Sequence, residues 1–281
     1  MARISILPID HNITADDIAI GTDSEPGNNL NTKNFSIGNI AEFIMSYIED
    51  NSSCCGNGSV TLVKYGYLYN WYTVDNSRNI ASVGWSVPSI ADMITLRDYL
   101  DPINTTEPAY YTNTAGGKMK ETGLTYWDTP NTGADNVALF NGRGSGVRSS
   151  NGGFNSVKIR ATFWSSSVYV APNISTGVLR FDNNIFYTAA NITNSKSEGL
   201  SIRLVKDATT LTNGQTGTYT GNDGKIYRTI CIGTQEWVAD NIAETKYRDR
   251  TLIPEVTDNT VWVGLSTGAR CSYDNDPSNA L

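Results

Sequence analysis

The chain has 281 residues, a formal charge of −7, 17% charged residues and a single histidine, His11. That length can bury one sizeable core or a modest core with a small appended piece, and the acidic balance gives no long-range pull on a polyphosphate, so no nucleic-acid partner is expected. One histidine excludes His-rich zinc, haem and non-haem iron sites, and any histidine-based triad outside the N-terminal arm. Charge falls below the roughly 25% usual in globular domains, and Asn, Ser and Thr fill the gap.

Residues 1–50 read as an arm. The opening MARISILPIDHNITADD lacks a basic stretch followed by an apolar one, so no secretory signal is expected. No run in the chain approaches the roughly 20 apolar residues that span a bilayer, so the expectation is synthesis in a cytoplasm without membrane insertion. Arg3–Ile6 alternates like a strand and Pro8 stops it; Gly21–Asn31 is turn chemistry. Ile37, Ile40, Ala41, Ile44, Met45 and Ile48 follow the spacing of one helix face behind a Ser36 cap, predicting a helix over 36–49. So short a helix must dock on its own body, sister copies or a larger assembly. The polar spacer NSSCCGNGS at 51–59 favours association outside the body. Ile37, Ile40, Ile44 and Tyr47 lie at a/d-like spacing, which suggests a homotrimer.

The body starts at Val60. Tyr65–Tyr72 is aromatic-dense and reads as a strand. Pro88–Leu100 reads as a helix with a Ser89 cap and Ile90, Met93, Ile94, Leu96 and Leu100 on a mostly one-sided apolar face. From about 110 to 195, Gly and Asn recur so often that loops are expected to dominate. A polar linker spans 208–217, followed by strands around 227–232 and 235–240 and loops to Leu281. Cys54 and Cys55 are adjacent, a geometry that makes only rare, strained disulfides. Cys231 and Cys271 read as small buried apolar residues. No metal site and no cofactor are expected.

Several phrases resemble one family in order: KYGYLYNWYTV at 64–74, GWSVPSIADMITLRDYL at 84–100, GGKMKETGLTYWD at 116–128, TFWSSS at 162–167 and GLSIRLVKD at 199–207. They resemble the Fibrobacter succinogenes major paralogous domain, related to formylglycine-generating-enzyme-like and C-type-lectin-like folds. Residues 223–260, beginning DGKIYRTICIGTQEWVADN, resemble the opening of that same domain, yet stand at the end. The resemblance therefore implies a circular permutation, with 208–217 joining the old ends; a truncated second copy would expose core aromatics such as Trp237 and Trp262. The implied fold is α+β: a loop-rich C-type-lectin-like domain over 60–281, with short antiparallel strands and one or two helices, behind an extended arm and a short helix. IAIGTDSEPGNNLNTKNFSIGNIAEFI, from 18 to 44, resembles N-terminal segments of bacteriophage tail and fibre proteins.

Enzymatic relatives, as the resemblance implies, use cysteines shortly before the GLSIRLV strand or a histidine facial triad. No cysteine lies between Cys55 and Cys231, so catalysis is not expected. Asp274 and Asp276 read as solvated loop carboxylates, and Gly142, Gly144 and Gly146 as a glycine-rich surface loop rather than a phosphate cradle. The polar stretch between Trp164 and Gly199 reads either as solvated hairpin turns or as a recognition face using Asn173, Arg180, Asn183, Asn184, Tyr187 and Asn191. Trp71, Trp85, Trp164 and Trp237 fall inside the family phrases and read as framework. The combined expectation is a virion fibre or decoration protein, on head or tail. It binds other virion proteins through the arm and a bacterial surface glycan or protein through the body. The alternatives are a purely structural virion component and a surface protein of a Bacteroidetes-like cell.

Overall fold

The structure, a computed structural model, describes residues 60–102, 114–169, 175–184 and 189–281. The expectations for the arm, its helix, the 51–59 spacer and Ile37, Ile40, Ile44 and Tyr47 lie outside these residues. The described residues belong to one compact unit, Gly56–Leu281. It is an α+β fold of short, mostly antiparallel strands with few helices.

The aromatic run does not form the expected long strand. Only Leu68–Tyr69 (β1) is extended, because Asn70 then caps a one-turn helix, Trp71–Val74 (α1), its side chain accepting from the Thr73 amide at 3.2 Å. Trp85–Ser86 (β2) leads into the expected helix, Ile90–Leu100 (α2). Ser89 and Asp92 form a reciprocal capping box there: the Asp92 amide donates to Ser89 Oγ at 3.2 Å, and the Ser89 amide donates to Asp92 Oδ2 at 2.8 Å. Met93 and Leu96 are buried, with Ile90, Ile94 and Leu100 packed beside them.

The glycine- and asparagine-rich middle is turn and loop through most of 120–144, as expected, but its described residues in 145–195 are mostly strand. A short helix, Ala115–Met119 (α3), precedes the hairpin Ser145–Arg148 (β3) and Phe154–Val157 (β4). Arg160–Tyr169 (β5), Ser175–Asp182 (β6) and Ala189–Ser195 (β7) then form a three-stranded antiparallel sheet. The composition misleads because the glycines of 142–146 serve close packing, not a surface loop. A Cβ on Gly142 would meet Phe181 and the Met119 carbonyl, and one on Gly144 the Lys158 backbone. Gly146 adopts φ +66° beside Tyr273, a conformation in which a side chain is strained.

The segment 199–205 is the spine of the fold. Gly199 exchanges both backbone hydrogen bonds with Arg148, and Leu200 with Tyr69. Ser201 donates to the Thr162 carbonyl and accepts from the Trp164 amide. Val205–Lys206 (β8) lies between β2 and the C-terminal strands. Those strands are Thr216–Thr220 (β9), Ile226–Ile232 (β10) and Gln235–Val238 (β11), close to the expected positions, though β9 begins inside the expected linker. The five-stranded sheet has the order β2-β8-β11-β10-β9, with Trp237 opposite Val205. Asn259–Val263 (α4) and Arg270–Cys271 (β12) complete the chain, and β12 pairs with β1.

The 223–281 segment thus supplies core to the same body. All six tryptophans are buried. Several carry their indole N–H into the interior only because a backbone carbonyl receives it: Trp164 on Tyr69 (2.7 Å), Trp127 on Gly142 (2.8 Å) and Trp262 on Ser197 (2.8 Å). Cys231 and Cys271 are free and buried. Arg203, 1% exposed, holds spine and C-terminal segment together. It donates to Asn241 Oδ1 (2.9 Å) and to the carbonyls of Val238 (3.0 Å), Phe140 (2.7 Å) and Asn141 (2.8 Å). The chain's end lies against the body's start: the Tyr65 amide donates to the Asn279 carbonyl at 3.1 Å, and the Gly66 amide to that of Ala280 at 3.2 Å.

Candidate binding site

Side chains alternate across β5 and β6. Ala161 and Phe163, with Leu179 and Phe181, turn into an apolar cluster that includes Met119 and Trp237. Arg160, Thr162, Arg180 and Asp182 therefore share the opposite face, with Thr162 directly across from Arg180 and Arg160 across from Asp182. The β3–β4 hairpin raises one wall beside them, where Val147 pairs with Asn155 and Ser149 follows the strand. Asn194 on β7 and Glu198 just after it raise another. Apart from Asp182, which pairs with the two arginines but is not on the wall, these residues line a polar cup of about 200 Å³. That is room for several waters or one ring-sized solute, below the size of a drug-like pocket.

The polar groups of the cup hold one another in place. Asp182 Oδ1 accepts from Arg160 Nε at 2.8 Å and from Arg180 Nε at 3.1 Å, and Oδ2 accepts from an Arg180 terminal nitrogen at 2.5 Å. Burial alone would raise the Asp182 carboxyl, but the hydrogen bonds from Arg180 and Arg160 outweigh it and hold it below the usual value. Asn155 donates to Ser149 Oγ at 2.7 Å, and Asn194 to Glu198 Oε2 at 2.5 Å. Beneath the sheet end, Lys120 donates to the carbonyls of Thr132 (2.8 Å) and Asp182 (3.1 Å); burial pushes its ammonium down to about 8, with Asp182 acting in the opposite direction.

Two groups in the cup retain capacity. Thr162 is 2% exposed and its hydroxyl has no hydrogen-bond partner. The terminal nitrogens of Arg160 donate to no group among the described residues, its one ion pair being through Nε. The cup thus presents a guanidinium donor and a carboxylate acceptor, Arg160 and Glu198, each fixed by a neighbour, together with a hydroxyl able to donate or accept.

The sequence-derived recognition residues do not gather in one place. Arg180 lines the cup. Asn183 instead secures the turn after β6, its side chain donating to the carbonyls of Asp128 (3.3 Å) and Thr129 (3.2 Å), and Asn184 is exposed in that turn. Asn173 and Tyr187 lie outside the described residues, as does the side chain of Asn191, whose backbone belongs to β7. Sequence reasoning missed Arg160, Thr162, Ser149, Asn155, Asn194 and Glu198. The alternation Arg160-Ala161-Thr162-Phe163 carried the signal for the first two, since it marks one apolar and one polar strand face. Asp274 and Asp276 are exposed, as expected.

A larger hollow of about 590 Å³ beside Tyr99, Val137 and Ile230 is more apolar, and the Lys118 ammonium on its wall is committed to the Leu100 carbonyl at 2.6 Å. Among the described residues, no three metal-ligating side chains cluster, and no helix is long and apolar enough to cross a membrane.

Comparison with protein families finds one match over residues 19–206, to a model described as the Fibrobacter succinogenes major domain. The match begins upstream of the 51–59 spacer and ends at Lys206, before the segment resembling that domain's opening. Neither the comparison with curated proteins nor that with solved structures returns a match.

Proposed function

The chain belongs to the Fibrobacter succinogenes major domain family, and from that premise we propose that it is a bacteriophage virion fibre or decoration protein whose body adheres, without catalysis, to a bacterial surface glycan or protein. The observation that carries this reading is the polar cup. Side chains from β3–β4, β5–β6 and the end of β7 converge on it, and Thr162, whose enclosed hydroxyl has no hydrogen-bond partner, is among the lining residues. Its arginines are held by Asp182 and its carboxylate, Glu198, by Asn194, an arrangement suited to holding a polar solute. The arm enters the reading through its resemblance to phage tail and fibre segments, and the spacing of Ile37, Ile40, Ile44 and Tyr47 supports a trimeric attachment stem.

We also infer that the body is a circularly permuted C-type-lectin-like domain. The Gly66–Ala280 hydrogen bond supports this, because it brings together the ends that an unpermuted chain would join.

The experiment is imaging of purified particles with antibody raised against residues 60–281, followed by deletion of that segment. Labelled particles that stay intact but adsorb poorly support adhesion. Particles that become fragile support a purely structural role, and particles without label exclude both.

A further inference from the structure

We propose that the cup takes one uncharged sugar ring through two adjacent hydroxyls, one accepting from the Arg160 guanidinium and the other donating to the Glu198 carboxylate. This deepens the adhesion reading and rests on it.

Charge balance points to a neutral ligand. Arg160, Arg180 and Glu198 line the cup, and Asp182, which pairs with both arginines without lining it, brings the formal charge of the group to zero. A sugar carboxylate at the terminal nitrogens of Arg160 would share that guanidinium with Asp182 and enter the same small space as Glu198, and the chain as a whole carries −7. A cationic group would meet the arginines instead. A hydroxyl pair meets neither obstacle and can donate and accept at once.

Geometry points the same way. Arg160 is fixed through Nε by Asp182, which orients its terminal nitrogens. Glu198 is fixed through Oε2 by Asn194, while Oε1 accepts from no described group. Thr162 lies on the same face as Arg160, its hydroxyl unsatisfied although the residue is nearly fully buried. Donor, acceptor and amphoteric hydroxyl thus border a space of about 200 Å³, which fits a ring and is too small for a folded partner's surface.

The test uses the full chain and saturation-transfer difference NMR. The probes are the methyl glycosides of mannose, galactose and glucose, set against glucuronate and galacturonate. Neutral glycosides are expected to bind, with affinity reduced about tenfold in Arg160→Gln and in Glu198→Gln, the loss of one charge-assisted hydrogen bond. The uronates are expected to bind more weakly than their neutral counterparts. Thr162→Val should weaken binding while keeping the thermal midpoint, which separates ligand loss from misfolding.

Uronates binding as well as the neutral glycosides would overturn the proposal, as would unchanged affinity in both charge variants or no sugar signal at all. The same protein, fluorescently labelled, is applied to a panel of bacterial isolates. Saturable cell binding without a sugar signal overturns the sugar ring alone and points to a protein receptor. Failure of both assays overturns the adhesion reading as well.

Discussion

Thr162 on β5 stands directly across from Arg180 on β6, and its hydroxyl is enclosed without a hydrogen-bond partner. A buried unsatisfied polar group costs about 1–3 kcal/mol, whereas an apolar group of the same shape removes that cost. Thr162→Val should therefore keep or raise stability, by up to about 1 kcal/mol in urea unfolding. A loss of more than about 1 kcal/mol would mean that the hydroxyl has a partner in the folded protein.

The proximity of the Gly66 amide to the Ala280 carbonyl makes the permutation testable without any ligand. A chain opened between Asp207 and Ala208, with Leu281 joined to Val60 through a flexible linker of about six residues, should fold to the same near-ultraviolet circular dichroism. Opening there retains the contacts of Thr209 with Glu236 and of Asn213 with Gly233. An aggregated or molten product would show that the two parts are not one rearranged domain.

Arg203 is expected to be the costliest single polar residue to replace. Arg203→Met leaves Asn241 and the carbonyls of Phe140, Asn141 and Val238 without their donor in the core. The expected loss is about 1–3 kcal/mol for each acceptor that stays unsatisfied, read from the denaturant midpoint. A loss below about 1 kcal/mol would show that water or a neighbour replaces those bonds.

Glu244 gives the fold a pH dependence. It is fully buried, its Oε1 has no partner, and a Cβ on Gly221 would collide with that oxygen. Burial, helped by the nearby Asp223 carboxylate, pushes its carboxyl up to about 8 from 4.5. The folded chain therefore holds a proton that the unfolded chain releases. Glu244's contribution to stability is fully present below about pH 4.5 and is lost progressively as pH rises towards about 8. Over that window the slope approaches roughly 1 kcal/mol per pH unit. Glu244→Gln should flatten the profile and be the more stable protein at pH 8; a variant with the same slope as the wild type would exclude Glu244 as its source.

The attachment stem makes a separate prediction. Light scattering of the full chain should give a trimer, and Ile40→Asp with Ile44→Asp should give a monomer, since charge at two seam positions opposes helix association. A full chain that is monomeric from the outset would remove the stem.

The parts of the fold written in local chemistry were legible in the sequence. Pro88, the Ser89 cap and the one-sided apolar spacing marked α2, and the strand expected around 227–232 is β10. The strands of 145–195 were hidden because Gly142, Gly144 and Gly146 look like turn residues, although their role is close contact with Phe181, Lys158 and Tyr273. The Tyr65–Tyr72 run misled in the other direction. Its aromatics favour a strand, but the Asn70 cap ends the strand after two residues. The cup was the least visible part. Arg180 was picked out for its polar neighbourhood, yet its partners Arg160, Ser149 and Glu198 come from three other places along the chain. The β5–β6 register sets Arg160 and Thr162 beside Arg180, while Ser149 arrives from the end of β3 and Glu198 from the end of β7.

The most direct test of adhesion through the cup is the binding isotherm of the full chain on intact bacterial cells, compared with the Arg160→Gln, Glu198→Gln double variant at matched thermal midpoint. Saturable wild-type binding that weakens at least about tenfold in the double variant is the expected result. Equal binding by the two proteins, or no binding by the wild type to any isolate, would contradict it.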